Sequence, residues 1–356
     1  MLWPVFAPRQ QIGARVPNGF ALAAALGEEE PLDERARCLV ERLDEFGIMR
    51  LAETTRLDRI GVRTHAAIKP GTTDVLSIYS GKGLSTSDSV CGAIMECLER
   101  TGSLWREQDV LVCTEAEART NGEILGPARF TEPLAQVSVE QPIAWVWVER
   151  SGSCSRSLAP AQLVFNGRAL GGMGTLPFTV TTSNGLGAAV SVQGAITHAL
   201  REIIERDVVS CIELLSSHIQ DNQIHRLARS MGIELDSGQF RDNLKYVLRV
   251  DPATLPEPAA GLVDRVMSAG LTIEIKALPN DFGVPCFAVA TAQDVGSSRV
   301  LSTAGYAAGY PLSGALVRAL LEVCQSRATH FQGGREDDSV VREKRLHEVV
   351  DEQGWL

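Results

Sequence analysis

The residues that can do chemistry come in a repeated pattern. "VCGAIMECLER" (Val90 to Arg100) aligns without a gap with "ITHALREIIER" (Ile196 to Arg206), setting Glu96, Glu99 and Arg100 against Glu202, Glu205 and Arg206. A third copy, "ALVRALLEVCQSR", offers Arg318, Glu322 and Gln325, and Ala93, Ala199 and Ala319 are equivalent small residues. At about 100° per residue, carboxylates three apart share one helix face. Such a face can hold Mg2+, a hard cation that takes oxygen ligands and bridges to phosphates, while arginines at the same helix end grip phosphate oxygens in bidentate fashion. The plain alternative is a set of exposed Glu-to-Arg pairs at i,i+4, each worth only about 0.2–0.5 kcal/mol. Repetition favours a shared site. Each acidic helix follows a glycine-bearing stretch (Gly81-Lys82-Gly83, Gly185-Leu186-Gly187, Gly305 to Gly309), read as turns whose backbone N–H groups can face an anion, with Lys82 adding a cation.

The elements that must position these groups follow from apolar spacing. Val90, Ile94, Cys97 and Leu98 form the apolar side of the first helix, Ile196, Leu200, Ile203 and Ile204 that of the second, and Leu316, Leu320, Val323 and Cys324 that of the third. "VLSIYSGKG", "AWVWVE", "FTVTTSNGLG" and "VPCFAVATA" read as strands, and "LVDRVMSAGLTIEIKAL" as helix, glycine turn, strand. Near the start, Asp33 as N-cap, apolar Cys38, Leu39, Leu43 and Phe46, and Gly47 as stop predict one short amphipathic helix. Between Asp221 and Gly261 the pattern weakens into polar and proline-containing segments. The expected fold class is α/β (α+β), with strand, glycine turn and helix repeated around a central site.

Composition removes several classes of function. The chain has 356 residues, 44% hydrophobic and 22% charged, as soluble globular proteins do. A net charge of −10 without any Lys/Arg-rich block argues against nucleic acid. No apolar run reaches the ~18–20 residues of a membrane helix, and the N-terminus lacks a basic start before apolar residues, so a cytoplasmic protein is expected. The eight cysteines are scattered without a Cys-x-x-Cys pair, and several fall on apolar faces as small hydrophobes rather than zinc ligands. Neither Gly-x-x-x-x-Gly-Lys-Ser/Thr nor Gly-x-Gly-x-x-Gly follows a strand, which excludes the common phosphate-binding loops.

The motifs, in order, resemble those of the YcaO-domain proteins: "FGIMRLAETTRLDRIGV", "SGKGLS", "AIMECLER", "SNGLGAA", "HALREIIERD", "GVPCFAVAT", "RALLEVCQSR" and "GGREDD", from Gly47 to Asp338. The resemblance implies a YcaO-type catalytic domain over 47–338, an N-terminal extension over 1–46 and a tail over 339–356. It also implies an enzyme that uses ATP and Mg2+ to phosphorylate the oxygen of a peptide backbone amide, after which a nucleophile attacks the carbon. By resemblance Glu96, Glu99, Glu202, Glu205 and Glu322 hold the metal, and Lys82, Arg100, Asn184, Arg206, Arg318, Gln325 and Arg327 contact the nucleotide. No catalytic residue is assigned; His198 is read as a packing histidine.

The departures from that pattern are informative. Gly92 stands where the family commonly has Ser, Val190 where it has Asn, and Gly194 where it has a second Glu. No proline follows Pro311, unlike the proline-rich tails of azoline-forming members, and no fused peptide-binding domain is present. Both features resemble stand-alone members that work with a separate partner, such as the TfuA-associated thioamide formers. The expected partners are thus a precursor peptide or protein substrate, a TfuA-like or peptide-binding protein, and a second copy in a homodimer. Azoline or amidine formation, or a non-catalytic subunit binding a peptide or an active partner, are the alternatives.

Overall fold

The protein is described here from a computed structural model, over residues 31–106, 109–126, 140–150, 155–166, 183–216, 247–294 and 300–332. The termini, Cys154, the first half of the "FTVTTSNGLG" segment, the polar stretch from Asp221 as far as residue 246 and the "GGREDD" motif lie outside the described residues.

Two antiparallel sheets carry the architecture, the first crossed by one acidic helix and the second by the other two, one on each face. The first orders β1 (Arg50–Glu53), β2 (Arg63–Ile68) and β3 (Ile78–Gly83), under α3 (Thr86–Gly102) and α1 (Glu34–Val40). Val90, Ala93, Ile94 and Cys97 of α3 are buried with Leu51, Ala67 and Tyr79 of the sheet and with Ala36 and Val40 of α1. Each large apolar side chain buried there is worth about 1.5–3 kcal/mol. The second sheet runs β10–β9–β8–β7 (Val300–Ala308, Cys286–Asp294, Thr272–Ala277, Leu248–Arg249). Its alternating side chains divide two cores: Phe287 and Val289 meet α6 (Ala259–Ser268) and α7 (Leu312–Gln332), whereas Cys286 and Ala288 meet Val208 and Val209 of α5 (Val192–Ser216). A small third sheet, β4–β5–β6 (Leu111–Cys113, Ile143–Glu149, Arg156–Pro160), stands beside α4 (Glu115–Asn121).

Three local expectations change. The segment near Asp33 forms two helices, α1 and α2 (Leu43–Phe46), because the chain turns after Val40. Asp33 caps α1 through a bond from the Ala36 N–H, and Gly47 ends α2 at φ +66° as expected, but Cys38 is exposed and the buried stripe is Ala36, Val40 and Leu43.

The second change concerns the glycines. Gly81 and Gly83 lie within β3 and Gly305 within β10, not in turns. A Cβ on Gly81 would collide with Ser89 and Ala93 of α3, one on Gly187 with Ala195 of α5, and one on Gly305 with Ala319 and Val323 of α7. The repeated glycines and alanines thus bring each helix backbone down onto the extended chain that precedes it. True left-handed turns occur at Gly185 (φ +83°) and Gly309 (φ +127°).

The third change is on α5. Ile196, Leu200 and Ile203 are exposed (47%, 53% and 48%), and only the helix's later turns, from Ile204 onward, enter a core.

Candidate functional site

The packing of α3, α5 and α7 brings the acidic repeat together. Lys82 on β3 donates from Nζ to Glu322 Oε2 at 3.0 Å, joining the first sheet to the last helix. Glu99 accepts a bond from the Ala188 N–H at 3.0 Å, and Glu202 one from the Gly185 N–H at 3.2 Å. Part of the expected anion-facing backbone in the Gly185 turn is therefore given to the protein's own carboxylates. Glu96 is set deep in the site and makes no hydrogen bond or ion pair with a described residue.

The electrostatics record the crowding. Burial, then Glu96 and Glu202, push the Glu99 carboxyl up to about 7. Burial and then Glu322 push Glu205 to about 7 against the opposing pull of Arg206 and Lys82. Burial also raises Glu96 and Glu202. These are carboxylates short of positive charge, the condition a bound cation relieves. Arg206 stands 3.9 Å from Glu202 and 3.7 Å from Glu205, too far for hydrogen bonds, and its buried Nε has no partner among the described residues.

The donor set fits Mg2+ in kind: oxygen ligands from Glu96, Glu99, Glu202, Glu205 and Glu322, with Arg206 suited to phosphate. As they stand, Glu99, Glu202 and Glu322 are each taken by a protein donor, and among the described residues no three ligating side chains are grouped tightly enough to hold an ion.

The other expected site residues have partners of their own or stand exposed. Arg100 is buried in a bidentate pair with Asp74 (2.9 and 2.8 Å), itself wholly buried. Arg327, also buried, pairs with Asp58 (3.0 and 3.2 Å) and donates to Gln293 at 3.0 Å, with Nη1 unpartnered among described residues. Gln325 donates to the Ser80 carbonyl at 2.6 Å and Arg318 to the Ala308 carbonyl at 2.9 Å. Asn184 is exposed in the turn before Gly185. His198 is not a packing histidine: its side chain is 59% exposed, with Nε2 3.8 Å from Glu99. Val190 is 94% exposed and Gly194 has no side chain, so neither offers a ligand. Gly92 lies over Gly81 and Lys82, where a Cβ would come to 3.3 Å from the Gly81 Cα.

Spacing did not reveal Asp74 and Asp58, which hold Arg100 and Arg327. Neither aspartate belongs to the repeat. The cysteines behave as expected where buried: burial raises Cys97 to about 11, and Cys286 and Cys324 to about 12, leaving inert thiols.

Comparison with known proteins bears on the family and the fold. A Methanothermobacter thermautotrophicus protein is 28% identical over 85% of this chain and 71% of its own length. A protein encoded in the tfuA 3′ region of Rhizobium leguminosarum bv. trifolii is 26% identical over 83% of this chain and 66% of its own. The chain thus spans about two thirds of these relatives' length. Among solved structures, the YcaO protein of Methanopyrus kandleri, bound with AMPPCP and Mg2+, superposes with a TM-score of 0.59 at 20% identity, over 89% of this chain and 72% of that one. The family pattern described as YcaO cyclodehydratase, ATP- and Mg2+-binding, matches residues 80–355. The acidic helices, their glycine-bearing strands and that match make this chain a member of the YcaO family, with ATP and Mg2+ as its cofactors.

Proposed function

We propose that the protein uses ATP to phosphorylate a backbone amide oxygen of a ribosomally made precursor peptide or protein, and that the product is a thioamide. The amide oxygen attacks the γ-phosphorus and ADP leaves; a sulfide equivalent then adds to the amide carbon, and phosphate departs with the original oxygen. The observation that carries this reading is the gathering of Glu96, Glu99, Glu202, Glu205 and Glu322 from three helices around Lys82, with raised pKa values at four of them. When bound, Mg2+ supplies charge neutralisation of the phosphates. Lys82, Arg206 and Arg318 bind phosphate oxygens, and Gln325 and Asn184 complete the nucleotide contacts. Arg100 and Arg327 support the site from behind, by holding α3 and α7 in place through Asp74 and Asp58.

The sulfur nucleophile and a TfuA-like partner are supported by the relative in the tfuA 3′ region. The catalytic domain is assigned to 47–338, with 1–46 as an extension whose helix α1 buries Ala36 and Val40 beside α3, and 339–356 as a tail. No helix of the described residues is long and apolar enough to cross a membrane, and a cytoplasmic site of action is part of the proposal. A homodimer is the proposed assembly, supported by the exposed stripe Val192, Ile196, Leu200 and Ile203.

ATP turnover with Mg2+, with and without the partner, tests the reading by mass spectrometry of the peptide. Sulfur-for-oxygen exchange is expected; loss of water would transfer the assignment to azoline or amidine formation. Val190 and Gly194 favour one other reading, a non-catalytic peptide-binding subunit, which absence of nucleotide binding at millimolar Mg2+ would establish over the enzyme.

A further inference from the structure

Beyond the carboxylates, α5 carries a basic group that the acidic repeat does not share. Counting from Gly194, the positions of His198, Arg201 and Glu205 return to within about 40° of it, making one stripe along the helix. Gly194 brings no side chain to that stripe, so its upper part is set by His198 and Arg201. Position 201 corresponds to Met95 in the first copy and Leu321 in the third, so the repeat itself calls for no charge there.

Arg201 is held in a definite place. Its Nη2 donates to the Tyr310 carbonyl at 3.1 Å, and its Cγ, Cδ and Nε lie along Gly309, where a Cβ would stand 2.8 Å from Nε. Gly309 has φ +127°, so backbone and arginine alike call for glycine. From the other side, Arg318 Nη2 donates to the Ala308 carbonyl at 2.9 Å. Two guanidinium groups therefore end on the carbonyls that flank Gly309, and no described carboxylate forms an ion pair with either of them.

They lie close enough to feel each other. Burial, then Arg201, holds Arg318 below its ordinary value, and burial, then Lys82, Arg201 and Arg318, does the same to His198. Glu205 opposes this at Arg318 from beyond ion-pair distance; half-buried like charges with no carboxylate in direct contact make an anion-binding place, and paired arginines match phosphate geometry.

We propose that Arg201 is a phosphate ligand of the bound nucleotide, closing a two-arginine clamp with Arg318 across Gly309. The proposal rests on the nucleotide-dependent reading above. The clamp supplies positive charge on the α5 face, where Val190 and Gly194 provide no metal ligand.

Calorimetric titration with ATP, ADP, AMP and adenosine at fixed Mg2+ tests it, using the full chain and the variants Arg201→Gln and Arg201→Lys. Glutamine keeps an amide donor for the Tyr310 carbonyl but removes the charge. The expected result for Arg201→Gln is ATP binding weakened about 10- to 100-fold, a smaller loss for AMP, none for adenosine, and partial recovery in Arg201→Lys, with melting temperatures near wild type. Unchanged ATP affinity in Arg201→Gln, or an equal loss for ATP and adenosine, overturns the clamp and leaves Arg201 as an anchor of the Gly309 turn. Should Arg201→Gln fail to fold, Arg201→Lys decides: a several-fold loss of ATP affinity with adenosine binding unchanged supports the clamp, and wild-type ATP affinity or an equal loss for adenosine overturns it. Failure of the wild-type chain to bind ATP at all overturns the nucleotide reading itself, and the clamp with it.

Discussion

At the residue scale the carboxylates work against the fold until something neutralises them. Burial and mutual repulsion raise Glu99 and Glu205 to about 7, above the ordinary glutamate range, so the folded chain binds more protons than the unfolded chain between roughly pH 4.5 and 7. That contribution is complete below the unfolded pKa and is lost as pH rises through 7. Metal-free protein should therefore melt several degrees lower at pH 8 than at pH 5.5, and Mg2+ at pH 8 should restore much of the difference; identical melting with and without Mg2+ contradicts the metal assignment. Glu202→Gln removes one charge while keeping a side-chain oxygen to accept from the Gly185 N–H, so ATP turnover should vanish while the metal-free melting temperature holds or rises. An unchanged rate would return Glu202 to a surface role. Asp74→Ala is of a different kind. It strands Arg100 in a buried setting and should cost about 3–5 kcal/mol in urea unfolding, a loss that Mg2+ does not repair.

At the scale of elements, the three helices and four of the ten described strands (β3, β5, β8 and β9) were legible because apolar spacing and capping residues are local signals: Val90, Ile94 and Cys97 are buried as the spacing requires. The role of the glycines was not, since a glycine in a turn and one beneath a helix look alike until the helix is docked. The prediction that separates the two is steric. Gly305→Ala drives a methyl into the Ala319–Val323 backbone and should destabilise by about 1–3 kcal/mol or more, the range of overpacking. Gly270→Ala, at φ +71° with open space around it, meets strain but no collision, so Gly305→Ala should show the larger melting shift. Nor could spacing reveal that Arg100 and Arg327 are held by Asp74 and Asp58, 26 and 269 residues away, because pairing partners are set by the tertiary fold.

At the scale of the molecule, the family could be read from motif order, while the state of α5 could not. Its apolar stripe looked the same as that of α3, yet Ile196, Leu200 and Ile203 face outward. For the proposed homodimer, Leu200→Glu should shift light-scattering mass from dimer toward monomer, and a wild-type chain that is already monomeric at micromolar concentration refutes the assembly.

The Lys82–Glu322 bond joins residues 240 positions apart, and Gln325 reaches back 245 positions to Ser80. On the ribosome, then, β3 and α3 emerge with their acidic face unmatched and wait for more than two hundred further residues before α7 is made. A chain that stops before α7 carries the carboxylates of α3 and α5 but lacks Glu322 and Gln325, and with them both links back to β3.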